Sequence, residues 1–169
     1  SGEINKKWTF SARFVDVDLP RPRYRFTATY RFSPRLQAGL EYNPNAHEVG
    51  FIGNYIIATE TEKTPMINFG TSSDRIGTPP GPHAYFFTFA KGIPKYKLGP
   101  YISVNYSEFD RHINFPFGIS YSITPGLSTM FMHDGRKSHL LLTYSKESWS
   151  VSAMLIWMKH PGISFSFGF

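Results

Sequence analysis

The 169-residue chain contains no cysteine. That removes disulfide scaffolds, thiolate metal sites and cysteine nucleophiles at once. Long apolar runs are missing as well. Ala153 to Met158 and Tyr85 to Phe87 are among the longest, against the ~20 residues a transmembrane helix needs. Acidic residues are scarce, 12 against 18 Lys and Arg, for a formal charge of +6. No segment has a helical period, no stretch reads as a linker, and no phosphate-binding glycine loop is present. The basic residues are scattered over alternate positions, which argues against a nucleic-acid surface. The chain opens Ser-Gly-Glu-Ile-Asn-Lys-Lys with no apolar core behind the lysines. A secretory leader is therefore expected to be absent or already removed.

Aromatics are what the chain has in excess, with 16 Phe and 10 Tyr, although its mean hydropathy is negative. Their abundance and the modest charge argue against disorder. The length suits one domain over residues 1–169, with residues 1–6 as a short N-terminal segment.

The order within the chain is alternation. Tyr24, Phe26, Ala28, Tyr30 and Phe32 interleave with Arg25, Thr27, Thr29 and Arg31. A period of two places one set on each face of a strand. Ser33-Pro34 breaks the run, Leu36 to Tyr42 resumes it, and Asn43-Pro44-Asn45 breaks it again. The same pattern marks Trp8 to Phe14, Val49 to Ile57, Tyr85 to Phe89, Tyr96 to Tyr106, Phe115 to Ile123, Leu140 to Tyr144, Trp149 to Trp157 and Ile163 to Phe169. Ile67 to Phe69 and Leu127 to Phe131 are weaker. The prediction is an all-β chain of about twelve strands, or ten or eight if weak segments are loops, with Ser72 to Pro82 as its longest loop.

A soluble sandwich also alternates, but its apolar face is a close-packed core of Val, Ile and Leu. Here the apolar face is Phe, Tyr and Trp. Trp8, Tyr24, Tyr42, Tyr106, Tyr144, Trp149, Trp157 and Phe169 stand at or near run ends, as interfacial aromatics do at the two edges of a bilayer. The other face is Gly, Ser, Thr, Asn and Arg. Lipid would also demand a closed barrel, because a free sheet edge has no water to bond.

In these features the chain resembles bacterial outer-membrane β-barrel proteins. The resemblance is architectural and spans the whole chain. Its sharpest local element is the C-terminal strand Ile163-Ser-Phe-Ser-Phe-Gly-Phe169, which looks like the signal read by the outer-membrane assembly machinery. The resemblance implies a closed antiparallel transmembrane barrel in the bacterial outer membrane. Its partners would be the lipid bilayer, lipopolysaccharide, that machinery and envelope proteins, with no nucleic acid. It also implies that the turns near Ser33, Thr59 to Pro65, Lys91 to Lys95, Thr124 and Lys146 are periplasmic and the other connections external.

The expected function is a narrow pore for small, preferably anionic solutes, with a plugged structural barrel in an envelope complex as the alternative. Arg13, Arg25, Arg31, Arg35, Lys95 and Lys97 are the expected lumen cations and Glu41 their acidic counterpart. Their imbalance would hold a positive potential in the lumen. Inward apolar residues, Ile52, Ile56, Phe86, Met130, Met132, Leu141, Met154 and Ile156, favour the plugged alternative. All six histidines fall at the expected external end, but none has metal-site spacing; His112, His133 and Asp134 are the nearest candidates and no metal or cofactor is assigned. No catalytic residue is assigned either. A membrane lipase needs Ser and His on the lipid side, where Thr71 and Thr129 are the polar exceptions.

Overall fold

The structure is a computed structural model that describes residues 6–169. The expected N-terminal segment therefore lies outside the described residues except at Lys6. Among the described residues the first six strands are β1 (Trp8–Val15), β2 (Tyr24–Arg31), β3 (Leu36–Asn43), β4 (Glu48–Ala58), β5 (Met66–Ser73) and β6 (His83–Ala90). The next are β7 (Leu98–Ser107), β8 (His112–Asn114), β9 (Phe117–Thr124), β10 (Leu127–His133), β11 (Ser138–Ser145), β12 (Trp149–Ile156) and β13 (His160–Gly168). A one-turn helix, α1 (Pro20–Arg23), lies between β1 and β2.

Successive strands around the wall pair antiparallel, β6 with β7 included, and β1 pairs with β13, which closes the sheet into a barrel. The short β8 and β9 follow one another along β7, separated by Phe115 and Pro116. Proline has no N–H to give the ladder, so it splits one strand in two. The Pro116 carbonyl still accepts the Ser103 N–H at 2.7 Å. The wall is therefore twelve strands around, with β8 as an extra segment, as the alternation predicts.

Two boundaries differ from the sequence reading. Alternation carries the seventh strand back to Tyr96, but Pro94–Tyr96 is a 3-10 turn, Lys97 is left-handed at φ 56, and β7 starts at Leu98. Alternation also carries the twelfth strand through Trp157. There the chain turns at Trp157 (φ 56) and Met158 (φ 55), although neither residue is the glycine or asparagine that usually marks such a turn. The weak fifth strand is eight residues long; it reads weakly because the outward face of Ile67 and Phe69 continues with the polar Thr71.

The aromatic face points outward. Phe10, Phe26, Leu40, Phe51, Phe87, Ile102, Ile119, Leu142 and Phe165 are all exposed. Thr129 is polar on that face, and its hydroxyl donates to the Leu141 carbonyl at 2.9 Å, so it carries no unpaired donor. Tyr24, Tyr42 and Tyr106 ring one end; Trp8, Tyr144, Trp149 and Phe169 ring the other. Trp157 departs from the expected belt. Its ring packs onto a buried cluster inside one end of the barrel, because the turn aims it across the mouth.

The described chain ends share one end of the barrel, called proximal here, with the turns at Ser33, Thr59 to Pro65, Lys91 to Lys97, Pro125 and Lys146. The remaining connections form the distal end. Phe169 and Trp8 exchange backbone hydrogen bonds at 3.0 and 3.1 Å, and the Phe169 ring lies 6.0 Å from Phe10. Deleting Phe169 removes all three contacts from the closing ladder. The expected outcome is a several-fold drop in heat-modifiable barrel after refolding into lipid; an unchanged yield would refute it.

Candidate functional site

The inward face is built from small polar residues, and they bond across strands. Ser11 and Thr27 hydroxyls meet at 2.6 Å, Thr88 and Ser103 at 2.7 Å, and Thr143 and Ser152 at 2.7 Å. Gln37 donates to Thr29 at 2.8 Å, and Asn68 to Asn54 at 2.7 Å. Adjacent strands place such pairs side by side on one face. Few of these residues are fully buried. The buried hydrophobic residues among those described are Val15, Val17, Ala84, Met154 and Ile156. Beside them stand twelve buried polar side chains, while other inward residues such as Thr27, Gln37, Asn54 and Phe86 are only half-buried, so the interior is polar with open spaces between side chains.

Two inward aromatics lie flat where glycine gives them room. A Cβ on Gly118 would come within 2.6 Å of the Tyr101 ring, and Gly70 similarly faces Phe86. The rings can thus lie along the wall, which explains how Phe86 fits inside without a packed core around it.

Arg13, Arg25 and Glu41 sit toward the distal end. Arg25 donates to the fully buried Glu41 through Nε at 3.0 Å and through Nη2. Asn43 donates to the second Glu41 oxygen at 3.4 Å. Arg13 lines the same region but makes no ion pair among the described residues, and its Nε has no partner. Arg31 lies at the proximal end of β2, also with an unpartnered Nε. Three expected lumen cations are elsewhere. Arg35 is exposed in the turn before β3, and Lys95 and Lys97 are exposed in the turn before β7. Turn geometry, with Lys97 left-handed, carries these side chains to the proximal rim instead of the wall.

The distal mouth is narrowed by loops that the sequence reads only as connections. The segment after β1 turns inward, so Val15 and Val17 pack with Met154 and Ile156, and against Leu19, Ile76, Leu141 and Trp157. From α1, Arg21 is 4 % exposed. Its Nη2 donates to the carbonyls of Asp74 at 2.7 Å and Arg75 at 2.8 Å, and to the Thr78 hydroxyl. Burial lowers the pKa of Arg21, opposed by the nearby Glu48, Glu41 and Asp74. Asp74 accepts from the Ser107 hydroxyl and the Phe109 amide. This arginine latch joins the connection after β1 to the one after β5, with Arg21 and Asp74 53 residues apart in sequence.

A second clasp lies at the rim. Asp110 is held by Arg75 from one loop, at 2.9 Å through Nη2, and by Arg136 from another, also at 2.9 Å. The Arg75 hydrogen bonds hold the Asp110 carboxyl below its ordinary range. A lowered folded pKa means the clasp is complete above the unfolded value of ~3.9 and is lost as pH falls through the lower folded one. Asp110→Asn should free the loops at residues 74–82 and 134–137 at neutral pH, read as several-fold faster limited proteolysis there. Proteolysis unchanged at pH 7 would refute it.

The histidines all lie at the distal end, as expected. His112 Nδ1 bonds the Asp110 carbonyl at 3.1 Å and His133 Nδ1 the Ser138 hydroxyl at 3.0 Å. Asp134 instead meets His139, at 2.9 Å. Burial would raise the Asp134 pKa, but hydrogen bonds from His139 and from the Lys137 and Arg136 amides outweigh it and lower it. Since the Trp157 backbone N–H donates to His139 Nδ1 at 3.1 Å, the proton of this imidazole sits on Nε2. No three His, Asp or Glu groups converge as a metal site among the described residues, so His112, His133 and Asp134 are not assembled into one.

Beneath the loops lies a cavity of about 310 Å³, lined by Arg13, Arg21, Arg25 and Asn43 on one side and Met132, Leu141, Met154 and Ile156 on another. Further lumen space of about 220 Å³ borders Phe86, Tyr101 and Asn105, and about 190 Å³ borders Arg25, Gln37 and Asn54. Sequence reasoning missed Arg21, Asn43 and Asp74. The only signal was the unusual Pro-Arg-Pro-Arg run at 20–23 inside a connection. No protein-family model matches the chain, and no curated protein matches it significantly.

Proposed function

We propose that the protein spans the bacterial outer membrane and passes small solutes, preferably anions, through its lumen. The observation that carries this reading is the polar interior with its cavities. Its wall is Ser, Thr, Asn and Gly, with Arg13, Arg25 and Arg31 against Glu41 and, at the distal end of β4, Glu48. An excess of fixed positive charge in a confined polar space raises the local concentration of anions. The exposed Arg35, Lys95 and Lys97 add positive charge at the proximal entrance, which is periplasmic in this reading. The outward aromatic surface supports insertion, since an apolar patch of this extent is not stable in water.

A second reading is favoured by the distal cluster of Val15, Val17, Met154 and Ile156 and by the Arg21 latch. In it the mouth stays shut, and the barrel anchors or seals an envelope complex through its loops. Conductance in planar bilayers separates the two. The pore gives discrete steps with a reversal potential that favours anions in a salt gradient. A flat trace at all voltages, with partners co-purifying in fixed ratio from native membrane, selects the closed barrel.

A further inference from the structure

The distal cavity combines two features that neither a plug nor a bare charge filter requires. One wall carries guanidinium groups with donors to spare. Arg21 is almost fully buried, yet its Nη1 has no partner while its Nη2 serves three acceptors. Arg13, half-buried, makes no ion pair among the described residues, and its Nε has no partner. The carboxylates that could neutralise them are engaged. Glu41 is held by Arg25 and Asn43, Glu48 by Asn43 and the Gly81 amide, Asp74 by Ser107 and the Phe109 amide, and Asp134 by His139. Buried cationic donors without partners are costly, and an anion that supplies acceptors removes that cost.

The other wall is apolar. Met132, Leu141, Met154 and Ile156 are inward residues on three neighbouring strands, and beside His139 they line the same cavity as the arginines. A hydrated inorganic ion gains nothing from such a surface, whereas a hydrocarbon segment does. The volume of about 310 Å³ is at the small end of ligand sites. A head group of one negative charge and a short aliphatic body match both walls at once.

We infer that this cavity is a binding site for a short-chain aliphatic carboxylate, its head group on Arg13 and Arg21 and its chain on Met132, Leu141, Met154 and Ile156. The inference rests on the reading of the interior as a lumen open to solutes. Its test reads binding, not conductance.

Hexanoate, hexanol and inorganic phosphate are titrated calorimetrically into the full-length refolded barrel in detergent, against matched detergent blanks. Hexanoate should bind saturably at one site per chain, with hexanol and phosphate each at least tenfold weaker. Arg13→Gln should weaken hexanoate at least tenfold, and Leu141→Asn several-fold. Phosphate binding as tightly as hexanoate would overturn the inference in favour of a simple anion site. Hexanol binding equally well, or no saturable hexanoate binding, would overturn it outright. Should Arg13→Gln fail to fold, the three wild-type titrations still decide. Hexanoate binding without conductance would remove the pore and keep the site, and conductance without hexanoate binding would do the reverse.

Discussion

Replacing Phe26 with arginine should cost roughly 2–4 kcal/mol of folding stability in lipid. Phe26 is the second of four outward positions on β2 and is 45 % exposed. It pairs with Ala12 on one side and Tyr42 on the other. The site offers an arginine no carboxylate, and lipid offers it no water. Leu155→Arg, which alternation places at a similar depth, should cost less. Leu155 pairs with Pro161 close to the distal turn, so an arginine there can extend its charge to the interface. Denaturant titration in vesicles measures both. A negligible change at Phe26 would remove that face from the membrane.

Glu41→Gln should be the most damaging substitution inside the barrel, at about 3 kcal/mol, the lower end for a broken buried ion pair. The amide keeps the size of the side chain and its contact with Asn43. What it removes is the negative charge facing Arg25, leaving Arg25 and Arg13 near one another without compensation. The lower end applies because the Arg25 side chain is still 27 % exposed. Pairing the change with Arg25→Gln should recover more than half of the loss, since the uncompensated charge goes with it. A single-variant loss under about 0.5 kcal/mol would mean that water in the lumen already screens the pair. In the pore reading, the same substitution also sharpens the preference for anions.

The wall was legible in the sequence because every outward residue meets the same solvent. A repeated environment imposes a repeated pattern, and Tyr24 to Phe32 or Ile163 to Phe169 read as strands without help. The pattern misled where it continued by coincidence. Tyr96 and Trp157 fall in phase with their strands, yet each sits in a turn whose left-handed residues are neither Gly nor Asn. The distal mouth was not legible, for a different reason. Arg21 gains its partners only when α1 meets the loop after β5, and no local pattern encodes a contact between two connections. The orphan donor of Arg13 is equally silent in sequence, since Arg13 and Arg25 occupy equivalent strand positions and pair with each other across β1 and β2. Only the placement of Glu41 decides which of them is neutralised.

The ladder between β1 and β13 has a consequence for the order of events during folding. Every other ladder joins strands that are close along the chain, so each needs only a short loop to close. The last one brings together segments from opposite ends of the chain. Hairpins can therefore form one after another at little entropic cost, but a sheet grown this way keeps two raw edges until the final step. In hydrocarbon those edges would hold two rows of unbonded amides. In the membrane reading, insertion and closure are then a single event, or the edges are chaperoned until Trp8 and Phe169 meet.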